Sequence, residues 1–127
     1  MKNTFISNRL QAFVYAFRGA YLLLKTEASI QAQFFIALLT IIAGWYFNIS
    51  TTEWMFQLLA IGLVLGIEGA NTAIEKLCDF IHPDYHKQIG FIKDIAAGAV
   101  FFVATVAVIV GLFIYIPKIY NLLASSF

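Results

Sequence analysis

From Ile95 to Ile116 the chain carries no charged residue, and no other stretch constrains the fold more. About 20 apolar residues in a helix cross a bilayer core of about 30 Å. Two further segments share this character. Ala28 to Phe47 has Gln31 and Gln33 near its start, and Trp54 to about Leu77 is largely apolar in its first half and carries Glu68, Asn71, Thr72 and Glu75 in its second. Backbone amides in hydrocarbon must be satisfied internally, so these segments are predicted to be helices. The 127 residues are 61% hydrophobic and 12% charged, more apolar surface than a soluble domain of this length can bury. The expectation is an all-α membrane protein of one domain, with three transmembrane helices over about 28–47, 54–77 and 95–116.

Before the first span, Ile6, Leu10, Phe13, Val14, Phe17, Tyr21 and Leu24 recur at helical spacing. They define an apolar stripe about 100° wide on a helix over about 4–25. Gln11, Arg18 and Lys25 border it, as suits an amphipathic helix lying among headgroups. The alternative is an extension of the first span. Arg9, Arg18 and Lys25 interrupt any apolar core, so a cleaved secretory signal is not expected.

Orientation follows from the basic residues. Lys2, Arg9, Arg18 and Lys25 precede the first span, and Lys76, Lys87 and Lys93 fall between the second and third; only Lys118 lies on the other side. The positive-inside rule then puts the amino terminus in the cytoplasm and the carboxyl terminus outside. Trp45, Tyr46, Trp54, Tyr115 and Tyr120 gather at the outer interface, as an aromatic belt would.

Chemistry concentrates in the second span. Glu68, Asn71, Thr72, Glu75 and Asp79 fall within about 100° of helix circumference. A charge at membrane depth costs at least about 2.5 kcal/mol, so three carboxyls on one face imply a bound cation or a working proton acceptor. A polar seam between helices is the plainer account. Asn71 and Thr72 suit it, and three carboxyls suit it poorly. Glu75 and Asp79 lie near the cytoplasmic end, and Glu68 about 10 Å deeper by helical rise. Burial disfavours a lone carboxylate, which suits Glu68 to take a proton from an alcohol. Asn71 and Thr72, one turn away, are placed to position it. On another face Gly62, Gly66, Gly69 and Ala73 align, with Gly62 and Gly66 forming a GxxxG pair for close helix contact.

Pro83 ends the second helix, and the third is expected to begin near Ile95. Lys93 and Asp94 would then sit at a helix N-terminus, where anions and an adjacent ammonium favour phosphate. Lys93 as a simple headgroup anchor is the competing reading. Glu27 enters the first span at about the depth of Glu75, and the pair suits Mg²⁺, with ATP phosphates completing the shell. His82 and His86 are separated by Pro83, which makes a zinc pair improbable. Cys78 is the only cysteine, so no disulfide within the chain and no cysteine-rich metal site is expected. A net charge of +1 gives no field for nucleic acid. No Walker loop, Rossmann fingerprint, kinase glycine loop or serine elbow is present.

The run Glu68-Gly69-Ala70-Asn71-Thr72-Ala73-Ile74-Glu75, then Asp79, then Tyr85-His86, then Lys93-Asp94-Ile95-Ala96-Ala97-Gly98 resembles the bacterial integral-membrane diacylglycerol kinase family, which includes the undecaprenol kinases. Tyr15-Ala16-Phe17-Arg18-Gly19 and Glu27 extend the likeness over nearly the whole chain. The resemblance implies a homotrimeric lipid kinase of the bacterial inner membrane, using ATP and Mg²⁺, with active sites shared between subunits. Carried over by position, Glu68 resembles the proton acceptor, and Glu27 and Glu75 the metal ligands. Asn71, Asp79, Lys93 and Asp94 match other active-site positions, and Arg9, Tyr15 and His86 match nucleotide contacts. After Glu27 the run Ala28-Ser29-Ile30-Gln31-Ala32-Gln33 follows neither the diacylglycerol nor the undecaprenol branch, while the stretch around Lys93 is closer to the undecaprenol branch. Two other functions compete on the residues alone: a proton- or ion-conducting subunit, since intramembrane carboxyls also mark ion pathways, and a purely structural helical subunit.

Overall fold

The computed structural model describes residues 4–127, so Lys2 lies outside the described residues. Four helices follow one another: α1 Thr4–Thr26, α2 Ala28–Tyr46, α3 Thr51–Ile81 and α4 Lys87–Ser126. The described residues contain no strand. The last three helices are long and apolar enough to cross a membrane. α3 is the central element, packed most extensively against α4 and also against α2.

α1 and α2 are separate helices. Glu27 is extended (φ −106°, ψ 115°), which breaks the α-helix between them and excludes one continuous extension of the first span. Gln31 Nε2 donates to the carbonyls of Leu24 (3.0 Å) and Lys25 (3.2 Å). It thereby serves two of the end carbonyls that a helix leaves unpaired. No residue of α1 is buried within the chain.

The turn from α2 to α3 is fixed by local chemistry. Asn48 adopts φ 52°, while Asn48 N bonds Trp45 O and Ile49 N bonds Gly44 O. This is a Schellman ending, in which Asn tolerates the left-handed position. Ser50 then caps α3: its hydroxyl accepts from Glu53 N at 3.1 Å, and Glu53 Oε1 accepts from Ser50 N at 2.9 Å. A Cβ on Gly44 would lie 2.7 Å from the Trp54 ring, so the approach of α3 requires glycine there.

Three features depart from expectation. α3 and α4 outrun their apolar cores, and α4 has 40 residues, about 60 Å of helix and twice the hydrocarbon thickness. The Tyr115 hydroxyl is not left to an interface: it turns inward to Gln57 Oε1 and Thr40 O, while Gln57 Nε2 also donates to Thr40 O. Gly62 and Gly66 do not pack helices together within the chain, since a Cβ on either would meet nothing within 4 Å. Only Gly69 is approached, by Leu23 of α1 at 3.0 Å.

Few side chains are enclosed. No large side chain is fully buried among the described residues, and Phe101, Phe102 and Phe113 are more than half exposed. Such a surface meets lipid or further protein, not water.

Candidate active site

The acidic stripe of α3 is graded in exposure along its length. Glu68 is 8% exposed and Thr72 5%, whereas Glu75 and Asp79 are open to their surroundings. Among the described residues Glu68 has neither a hydrogen-bond nor an ion-pair partner. An unpaired carboxyl in that position costs stability. Packing does not account for it, and its acceptor oxygens are left for a group from outside the chain.

Asn71 and Thr72 do not position Glu68, contrary to the expectation from spacing. Asn71 Nδ2 donates instead to Glu75 Oε1, at 3.1 Å and four residues further along α3. Asn71 Oδ1 is buried with no donor in reach. An orphan of this kind has room for a water, an ion or a ligand group. With the Glu75 carboxylate beside it, the donor set is hard oxygen, the kind that Mg²⁺ takes through one or two protein groups plus substrate phosphates. The residues therefore fit that ion.

Glu27 sits at the break between α1 and α2, one-fifth exposed, with Lys76 Nζ at 3.1 Å from its Oε1. The neighbour of Glu75 in sequence thus reaches Glu27, so the start of α2 and this turn of α3 lie at one level. Among the described residues no group of three or more His, Cys, Asp or Glu side chains is gathered for a metal. Lys76 is the residue that sequence reasoning passed over, counting it only as an inside charge. Opposite charges at matched depth on neighbouring helices were the available signal.

Lys93 and Asp94 do not begin a helix. α4 starts at Lys87, where His86 Nδ1 accepts from Gln88 N at 3.1 Å and caps it. Lys93 is nearly two turns further on, so the argument from a helix N-terminus fails. Its ammonium reaches across to Asp79 Oδ1 at 2.5 Å. Lys93 lies ahead of the apolar run that begins at Ile95, and the hydrogen bond its ammonium donates to Asp79 raises its pKa above the ordinary lysine value. Asp94 is exposed.

The proposed nucleotide contacts are not assembled within one chain. Arg9 lies over the Phe5 ring, while Tyr15 accepts from Gln11 and sits beneath Arg18, all on α1. His86 uses one ring nitrogen as the α4 cap and packs its ring 5.0 Å from that of His82.

Known proteins are similar to this chain over most of its length. The profile of the family described as prokaryotic diacylglycerol kinase matches residues 14–115. An undecaprenol kinase of Bacillus subtilis is 38% identical over 109 residues, 86% of this chain and 89% of that protein. A diacylglycerol kinase of Synechocystis is 31% identical over 117 residues, 91% of this chain and 67% of that protein. A diacylglycerol kinase of Escherichia coli is 27% identical over 100 residues, 79% of this chain and 82% of that protein.

Proposed function

The chain belongs to the prokaryotic diacylglycerol kinase family and is a membrane-embedded lipid kinase, and from that premise we propose that it transfers the γ-phosphoryl group of ATP, with Mg²⁺, to a lipid hydroxyl. One observation carries the assignment of chemistry to residues: Glu68 is only 8% exposed, and its carboxyl has no partner among the described residues. The lipid hydroxyl enters laterally from the bilayer, and its oxygen attacks the γ-phosphorus. The bond from that phosphorus to the β,γ-bridging oxygen breaks, ADP leaves, and the hydroxyl proton passes to Glu68. The product is the lipid phosphate. General-base assistance of this kind contributes about 10²- to 10⁴-fold.

The remaining residues position charge, which supplies most of the acceleration in phosphoryl transfer. Glu75 and Glu27 hold Mg²⁺, with Asn71 fixing the Glu75 carboxylate. When bound, the ion neutralises negative charge on the phosphates. Lys93, paired with Asp79, faces the phosphates from α4, and Asp94 completes the site. Arg9, Tyr15 and His86 contact the nucleotide. They are on the cytoplasmic side, with the amino terminus, by the distribution of basic residues.

A homotrimer in the bacterial inner membrane is the proposed working form. Supporting it, the Gly62 and Gly66 face of α3 is uncovered within one chain, and α1 leaves Arg9 and Tyr15 away from the α3 carboxyls of its own chain. Relatives named for diacylglycerol and for undecaprenol leave two acceptor classes. Labelled ATP, supplied with each lipid in turn, tests the proposal. Label in the organic-extractable lipid fraction is the expected result. Its absence with every membrane alcohol tried would remove the kinase reading.

A further inference from the structure

We propose that Lys76 is a stand-in for the divalent cation at Glu27, neutralising this carboxylate in the metal-free enzyme and leaving when metal binds. This rests on the reading of Glu27 as a metal ligand. Lys76 Nζ lies 3.1 Å from Glu27 Oε1, while the adjacent Thr26 hydroxyl donates to Leu22 O at 2.7 Å. The partners are unequally sheltered: the Glu27 side chain is 22% exposed and that of Lys76 69%. The carboxylate is therefore the fixed member, held at the break between α1 and α2. The ammonium is the mobile one, on a long stem that is mostly in the open.

A half-buried carboxylate with no cation loses hydration without compensation. Lys76 supplies that compensation. An ammonium is a compact point charge with rotatable donors, closer to a single ion than the planar guanidinium fork. Because most of its stem is open, departure costs little, as for any exposed pair. A divalent ion outbids it by charge.

Mn²⁺ alone, titrated into the full chain in lipid nanodiscs without nucleotide and read by electron paramagnetic resonance, tests this. Lys76→Met keeps the stem and removes the charge, and is expected to bind Mn²⁺ about two- to five-fold more tightly than wild type. Lys76→Arg should stay near wild type, and Glu27→Gln should bind more weakly. Lys87→Met, which removes a like charge outside the pair, should leave binding unchanged. If Lys76→Met binds no more tightly than wild type or than Lys87→Met, while Glu27→Gln weakens binding, the stand-in role is overturned and the ligand role of Glu27 survives. If Glu27→Gln binds Mn²⁺ as well as wild type, the ligand reading falls, and the role of Lys76 with it.

Discussion

Lys93 Nζ lies 2.5 Å from Asp79 Oδ1, joining α4 to α3 across the connector that carries His82, Pro83 and His86. The pair is open to its surroundings, so its worth is in placement rather than stability. Asp79→Asn is expected to leave the thermal melting of the detergent-solubilised protein nearly unchanged while lowering turnover about 100-fold, the cost of misplacing a charged group by about 1 Å. A matched loss of stability and activity would assign the pair to the fold instead.

Asn71 links two parts of the site, since its amide fixes Glu75 and its carbonyl oxygen is orphaned. Asn71→Leu removes both. Loss of a group that orients a metal ligand costs about 10- to 100-fold in metal affinity or activity. The Mg²⁺ concentration for half-maximal phosphorylation should rise accordingly, and an unchanged magnesium titration would count against this role.

At the opposite end of the helices, Tyr115, Gln57 and Thr40 form a closed network. Tyr115→Phe leaves Gln57 Oε1 without its donor, a loss of about 1 kcal/mol for a hydrogen bond between membrane helices. Thermal unfolding should shift downward, while turnover of the folded fraction stays at the wild-type value. A selective loss of turnover would show that the network reaches the site.

Gly44 and Gly66 make opposite demands. A Cβ at Gly44 strikes the Trp54 ring, whereas one at Gly66 meets nothing in the chain. Gly44→Ala should destabilise the α2–α3 turn in every assembly state. Gly66→Leu should spare the helices, read by circular dichroism, and dissociate the proposed trimer in a sedimentation experiment. A Gly66→Leu protein that remains trimeric would refute glycine-mediated assembly.

The helices and the acidic stripe were legible because hydrophobic runs and 3.6-residue spacing are local signals. Glu68 and Asp79 could be put on one face without any coordinates. The start of α4 was not legible. Lys87 to Asp94 mixes four polar residues with Ile89, Gly90, Phe91 and Ile92, so its helix has no clear hydropathy signal, and the His86 cap is a weak one. Partner choice was also hidden. Tyr115 reads as an interfacial aromatic until α2 and α3 are seen to offer Thr40 and Gln57. Asn71 can serve either neighbouring carboxyl by spacing, and only its side-chain direction settles on Glu75. The glycine face was visible, but one chain does not contain what covers it.

Glu68 is the residue on which the account turns. The most direct measurement is transfer of labelled phosphate from ATP to lipid by Glu68→Gln, run beside equilibrium ATP binding on the same preparation. The account predicts turnover lower by at least about 10²-fold, with nucleotide binding within about two-fold of wild type. Phosphorylated lipid formed at the wild-type rate would contradict it, because a side chain unable to accept the proton would have sufficed.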